Sequence, residues 1–239
     1  MEAYDLSPHR YAIMEEPMSM PMEREANDTT IYANHDGDWR APGNKLGALD
    51  HLNPSRFRYF DRVIPHWEGL EVLDIGCGAG FTAEFLAKRG ACVSGIDPSD
   101  PALRAAKAHA EATHLTIDYR LGSAEHLPYP DVSFDVVVCV DVLEHVGDLE
   151  KSLQEAFRVL RRGGYLLFDT INQTRLAKTV MIGALENVLH IIPRGAHDWN
   201  LFITPARLRQ CLMNAGFDNV QLSGFPLMSV MYIGCAQKN

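Results

Sequence analysis

The stretch Glu71-Val72-Leu73-Asp74-Ile75-Gly76-Cys77-Gly78-Ala79-Gly80 constrains this chain more than any other. A short apolar run meets an acidic residue and then three glycines at alternate positions, which reads as a strand, a tight turn and the start of a helix. Glycine suits such a turn because it accepts positive φ and lets a ligand approach the backbone closely. The free N–H groups of the following helix favour polar or anionic groups. A second apolar run, Cys92-Val93-Ser94-Gly95-Ile96-Asp97, ends in an acid about 20 residues further on, where a carboxylate binds ribose hydroxyls in nucleotide-binding βαβ units. A glycine turn that only packs a strand on a helix would leave the later motifs unexplained.

Two cofactor classes share that logic, and the spelling separates them. A dinucleotide fingerprint reads G-x-G-x-x-G and cradles a pyrophosphate, whereas this turn reads D-x-G-C-G-x-G. It resembles motif I of the class I S-adenosylmethionine-dependent methyltransferases. In that family the turn faces the amino-acid part of a cofactor with no phosphate, and the aspartate that opens the motif lies close to it. The resemblance implies a cofactor site at Asp74, Gly76, Cys77, Gly78, Gly80, Asp97 and Pro98. It also implies the fold: α/β and Rossmann-like, with a seven-stranded, mostly parallel sheet whose last strand is antiparallel, and helices on both faces.

Composition narrows the alternatives. With 239 residues, 46% of them hydrophobic, the chain buries a full core. A net charge of -9 argues against bulk nucleic-acid binding, although it says nothing of local patches. The five cysteines, Cys77, Cys92, Cys139, Cys211 and Cys235, are odd in number and show no C-x-x-C spacing. They read as small buried residues in a reducing compartment. No signal peptide is evident and the apolar stretches are too short for a bilayer, so a cytoplasmic protein, soluble or peripheral to a membrane, is expected.

Residues 1–30 carry methionines, prolines and charges without a sustained period and read as a flexible arm. Residues 31–69 read as an N-terminal helical cap region, with the aromatics Tyr32, Trp39, Phe57, Tyr59 and Phe60. Within it lies Asn53-Pro54-Ser55-Arg56. This N-P-x-R segment is similar to one in the ubiquinone-biosynthesis O-methyltransferases of the UbiG type, whose arginine precedes the first motif I glycine by the 20 residues that separate Arg56 from Gly76. The resemblance implies that Arg56 approaches the carboxylate of S-adenosylmethionine, a task that suits a planar guanidinium fork. The bland reading is a surface arginine on an amphipathic helix.

Residues 70–239 read as the methyltransferase domain. Helices are expected over residues 81–89 and 101–113, and strands over 115–121 and 134–140. The last of these is almost continuously apolar and therefore buried on both faces. Gly122-Ser123-Ala124-Glu125-His126-Leu127-Pro128 resembles the loop that flanks the adenine, which points to Ser123, Ala124 and Glu125, and Val140 matches a position whose backbone lines the cofactor site. A helix is expected over 149–160, and a strand over 165–168 follows Arg158 to Gly164, whose R-x-L-R-x-G-G pattern resembles one common in class I methyltransferases.

Asp141, Glu144 and His145 are spaced i, i+3 and i+4, so a helical turn would place them on one face, where they could hold a divalent metal. The family carries an E-x-x-E-H set associated with a divalent ion, which implies Mg2+ here, although Asp141 is one methylene shorter and serves equally as a helix cap. His145 or His197 would act as base toward a phenol. His109, His114 and His126 read as surface residues.

A substrate-covering helical insert is expected over about 172–200. Leu176, Val180, Met181, Ala184, Leu185, Val188, Leu189 and Ile192 fall at largely helical spacing, read either as a packed helix or, with Arg175 and Lys178, as a peripheral membrane contact. Pro193-Arg194-Gly195-Ala196-His197-Asp198 and Phe202-Ile203-Thr204-Pro205 are similar to P-K-G-T-H-D and F-I-K-P of the same family, which implies that His197 and Asp198 belong to the acceptor pocket. A helix over 205–215 and two closing strands complete the chain. The segment after Gly224 is shorter and more apolar than in that family, a departure on the acceptor side. The resulting expectation is methyl transfer from S-adenosyl-L-methionine to a hydrophobic small molecule, foremost O-methylation of a phenolic or prenylated acceptor, with S-adenosyl-L-homocysteine as product. C-methylation of an isoprenoid and a non-catalytic cofactor-binding partner in a biosynthetic complex are the alternatives.

Overall fold

The central strand of the sheet and one of its neighbours have apolar side chains pointing both ways, and that alone requires cover on both faces. In β4 (Phe134–Cys139), Val136 and Val138 join one hydrophobic cluster while Val137 and Cys139 join another. β1 (Glu71–Ile75) alternates likewise, with Val72 on one side and Leu73 and Ile75 on the other. The computed structural model describes residues 51–189, 195–225 and 229–239. The arm, Tyr32, Trp39, Ile192, Pro193 and Arg194 lie outside the described residues.

The remaining strands are β2 (Cys92–Asp97), β3 (Ile117–Leu121), β5 (Leu160–Ile171), β6 (Asp218–Gly224) and β7 (Met231–Gln237). They make one seven-stranded sheet in the order β3-β2-β1-β4-β5-β7-β6, parallel except for β7, which runs antiparallel to both its neighbours. The strand order reverses between β1 and β4. The carboxyl ends of these two strands therefore open a crevice, the usual ligand position in a doubly wound sheet.

Helices α1 (Asn53–Phe60), α2 (Phe81–Ala87) and α3 (Asp100–Ala112) cover one face through Phe57, Phe60, Ala83, Leu86, Leu103 and Ala106. Helices α4 (Leu149–Val159) and α6 (Pro205–Asn214) cover the other through Leu149, Leu153, Leu208 and Leu212. Ser99, Asp148 and Thr204 accept backbone N–H groups at the starts of α3, α4 and α6, which fixes where each helix begins. The described part of the cap shares the core of the sheet: Phe57 packs edge-on against Phe60 at 5.5 Å and against Trp67 at 5.4 Å.

Several local expectations change. β5 starts at Leu160 rather than after the glycines, because Gly164 lets the backbone pass so close to the Asp135 carbonyl that an added Cβ would stand 2.7 Å from it. Cys92 is exposed, whereas the other four cysteines are buried, and all five are free thiols. His109 is not a plain surface residue, since its Nδ1 bonds Glu84 Oε1 at 2.7 Å and ties α3 to α2. His114 and His126 are exposed.

The insert departs furthest. α5 (Arg175–Ala177) makes a single turn and continues as a π-helix over Lys178–Val188, where Leu189 N donates to the Ala184 carbonyl five residues back. A turn then holds more residues than the 3.6 of an α-helix, so the face an α-helical period would bury rotates along the segment. Met181 and Glu186 face inward, while Val188 is 73% exposed and Leu176 and Leu189 are also exposed. No helix among the described residues is long and apolar enough to cross a membrane.

Because Phe57 is fully buried at the junction of the cap and the sheet, Phe57→Ala is expected to destabilise the protein by about 3–5 kcal/mol. Leu121→Ala, at an exposed position, is expected to change stability by no more than about 0.5 kcal/mol. Urea unfolding of both variants checks the contrast, and equal losses would show that α1 is not part of the main core.

Candidate active site

The three motif glycines are needed for shape. Gly76, Gly78 and Gly80 have φ of 69°, 50° and 82°, a region that L side chains adopt at a cost. A Cβ on Gly76 would stand 2.2 Å from Val142 Cγ2, and one on Gly80 2.3 Å from the Tyr119 hydroxyl. The loop is fastened to β2, because Gly76 N and Cys77 N both donate to the Ile96 carbonyl at 2.8 and 3.1 Å. Asp97 completes the fastening: its Oδ2 accepts from Gly78 N and its Oδ1 from Ser99 N, each at 2.8 Å. Asn53 Oδ1 takes the Thr82 hydroxyl at 3.2 Å and joins the cap to the same turn.

Asp74 lies at the crevice floor with its Oδ2 buried and lacking any hydrogen-bond partner among the described residues. Burial, and then the charge of Asp97, push its pKa up to about 8. An unsatisfied carboxylate oxygen beside a backbone cradle that no side chain could enter fits a compact cationic ligand. S-adenosylmethionine meets that description, with its ammonium and sulfonium groups. Cys77 and Val140 are buried around this floor and Pro98 is exposed at its rim. Ala124 is buried beside Ser123, while Glu125 Oε1 accepts from Gly147 N at 2.9 Å, so that carboxylate braces the loop before α4.

Arg56 is 2% exposed and faces two carboxylates rather than solvent. Its Nε donates to Asp169 Oδ2 at 2.5 Å and its Nη2 to Asp141. Burial works to lower its pKa, yet the charges of Asp141 and Asp169 outweigh that and hold the guanidinium above its usual value. Asp141 has a left-handed backbone, φ 55°, and its N–H donates to Asp169 Oδ1 at 2.8 Å. The helical turn expected to put Asp141, Glu144 and His145 on one face therefore does not start at Asp141. A single turn closes instead from His145 N to the Val142 carbonyl at 2.7 Å, and Asp141 turns to Arg56.

His197 joins Glu144 and His145 instead. One potential ligand atom from each of Glu144, His145 and His197 lies within 4.8 Å of the others, and the two imidazole rings are 5.1 Å apart. Glu144 is buried and its Oε2 accepts the Thr170 hydroxyl at 2.7 Å. Burial and the charge of Asp141 push its pKa up to about 8. Burial and then His197 lower His145 to about 3, so His145 stays neutral at physiological pH. Asp198 is exposed, with its Oδ1 accepting from Asn200 N at 2.8 Å.

Sequence reasoning passed over Asp169, Thr170 and Glu186. For Asp169 a signal existed, since an acid inside the apolar strand Tyr165 to Ile171 needs a partner. That partner, Arg56, lies 113 residues away in the chain.

The glycine cradle, the acid at the end of β2 and the orphan acid at the end of β1, set at the switch point of this sheet, define a class I S-adenosylmethionine-dependent methyltransferase. A family model described as a methyltransferase domain matches residues 73–168. The ubiquinone biosynthesis O-methyltransferase of Coxiella burnetii is 35% identical over 210 residues, 83% of this chain and 89% of that protein. The corresponding protein of Thiobacillus denitrificans is 38% identical over 188 residues, 78% and 80% of the two chains. The chain belongs to the ubiquinone-biosynthesis O-methyltransferase family. Among solved structures, the PH0226 protein from Pyrococcus horikoshii OT3 superposes with a TM-score of 0.63 at 19% identity, over 83% of this chain and 93% of that one, a likeness of fold.

Asp74 and Glu144 both hold protons in the folded protein well above their ordinary values of 3.8 and 4.5. Each thus contributes stability that is complete below about pH 4 and is lost as pH rises through about 8, at up to about 1.4 kcal/mol per pH unit and group. The melting temperature of the cofactor-free protein is expected to fall between about pH 4.5 and about pH 8 and to level off above that, and Asp74→Asn to make that fall shallower. Calorimetric scans across this window check it, and an identical slope in the variant would count against a protonated Asp74.

Proposed function

We propose that this enzyme transfers the methyl group of S-adenosylmethionine to a phenolic oxygen of a hydrophobic, prenylated quinone precursor. The observation that carries the reading is the convergence of Glu144, His145 and His197 beside the cofactor crevice. An O-methyl acceptor must lose a proton, and this is where the chain gathers groups able to take one. Family membership supports the acceptor class.

Bound S-adenosylmethionine supplies an electrophilic methyl group on a sulfonium and a neutral thioether leaving group. The protein's part is orientation, since in-line displacement needs nucleophile and methyl held in register. Asp97 would hold the ribose and Asp74 the amino-acid end, with the loop from Gly76 to Gly80 pressed against it. Arg56 would take the cofactor carboxylate only by sharing its guanidinium with Asp141 and Asp169. Ser123, Ala124, Glu125 and Val140 would frame the adenine side.

For the proton, His197 is the proposed base. His145, held neutral by burial, suits a ligand's role better than a base's. If His197 ligates instead of acting as base, Glu144, His145 and His197 would hold a divalent ion, which would supply Lewis acidity at the acceptor oxygen. Two imidazoles and one carboxylate suit a borderline transition ion such as Zn2+, Fe2+ or Mn2+ better than Mg2+, which prefers oxygen donors. Asp141, committed to Arg56, is outside this donor set. The exposed apolar residues Leu176, Val188 and Leu189, with Arg175 and Lys178 nearby, support a peripheral membrane contact as the source of a lipid-like acceptor.

Asp97→Ala is expected to weaken S-adenosylhomocysteine binding at least about tenfold by calorimetry, because it frees the glycine loop as well as removing the ribose partner. His197→Ala is expected to leave that binding within about twofold and to lower kcat on a short-chain prenylated catechol by about 10²–10⁴. Full turnover by His197→Ala would remove His197 from the chemistry.

A further inference from the structure

Glu186 is the one acid in the π-helix Lys178–Val188, yet it is only 1% exposed. A carboxylate taken out of water at that depth is unfavourable unless its oxygens find fixed partners. Both do, and neither partner is on its own helix. Oε2 accepts from Gly195 N at 3.0 Å, and Oε1 lies 2.6 Å from Nδ1 of His197. The His197 side chain is itself 6% exposed, flanked by the Phe202 ring at 5.9 Å and the His145 ring at 5.1 Å.

A carboxylate oxygen that also takes part in this short contact is placed to accept, so the geometry puts the N–H of His197 on Nδ1. The lone pair then belongs to Nε2, the nitrogen left to act as base or ligand. The two contacts also set the ring plane, because Gly195 and His197 grip the same carboxylate from one short loop. We propose that Glu186 is a positioning residue that fixes the tautomer and orientation of His197, so that Nε2 serves the reacting site. The inference rests on the reading of His197 as base or ligand for phenolic O-methylation. Its physical pattern is the outer carboxylate that orients a working histidine.

The insert's geometry supplies Glu186 for this task. Of the π-helix residues Met181 and Glu186 are the buried ones, and Met181 belongs to the cluster of Ile171 and Phe202. The segment thus turns the acid inward while Val188 and Leu189 stay at the surface.

Three full-length variants, Glu186→Gln, Glu186→Ala and His197→Ala, separate this role from simple packing. Gln has the shape of Glu but no charge, and its amide can present an N–H to Nδ1. Gln and Ala are both expected to lower kcat on a short-chain prenylated catechol about 10–100-fold. KM for that acceptor and the S-adenosylhomocysteine dissociation constant should stay within about twofold. If Glu186 only fills space, Gln restores wild-type turnover, and that result overturns the inference. The ¹⁵N shifts of the His197 ring, assigned with His197→Ala, read the tautomer without turnover: Nδ1–H in wild type, lost in Glu186→Gln. An Nε2–H tautomer in wild type overturns the inference even if the enzyme is active. Full turnover by His197→Ala with Nδ1–H intact in wild type would overturn the functional reading alone, leaving the positioning of the ring established.

Discussion

A single buried guanidinium ties the cap to the carboxyl ends of two strands of the sheet. Arg56 rises from α1 and is held by Asp169 at the end of β5 and by Asp141 just beyond β4. Removing one member of such a cluster leaves an uncompensated charge in the interior, which is far costlier than the pair is favourable. The cluster thus fixes the angle at which the cap meets the carboxyl edge of the sheet. It also explains the left-handed backbone of Asp141, whose N–H and carboxylate must both reach the Asp169–Arg56 pair. With that turn set, Val142 comes over Gly76 and His145 comes down toward His197.

The site keeps more acid than base. Asp141 and Asp169 hold Arg56, Asp74, Asp97 and Glu144 add further acids, and burial raises the pKa of Asp74, Asp97, Glu144 and Asp169. Such an arrangement is unfavourable in an empty crevice and becomes favourable when positive charge arrives. S-adenosylmethionine would bring such positive charge, as a sulfonium and an ammonium, to a site with Asp74 at its floor. Its product has lost the sulfonium charge, so the same acids favour the substrate form over the product.

Much of the cofactor half was legible because local chemistry determines it. Three glycines at alternate positions after an apolar strand allow few backbones, and each of the three takes positive φ. The acid at the end of β2 is bonded to Gly78 N, which follows from short-range βαβ geometry. The acceptor half was less legible. A spacing of i, i+3 and i+4 is evidence of a shared face only if the segment is an α-helix, and Asp141 is not helical. The insert misleads in the same way. Its apolar residues repeat at 3.6, but the backbone hydrogen-bonds at i→i+5, so the stripe expected inside is partly outside and Glu186 is within.

By itself, the sequence determined the strand–turn–helix of motif I and the two-sided burial of β4, while the doubly wound sheet followed from the family resemblance. The first two follow from steric limits and from patterns within about 30 residues of chain. Only the tertiary structure decided which charges meet: Arg56 with Asp169, 113 positions apart, and Glu186 with His197 at the tip of the insert. The physical reason is that a buried charge takes whatever partner the packing delivers, and packing is a property of the whole chain rather than of any local stretch.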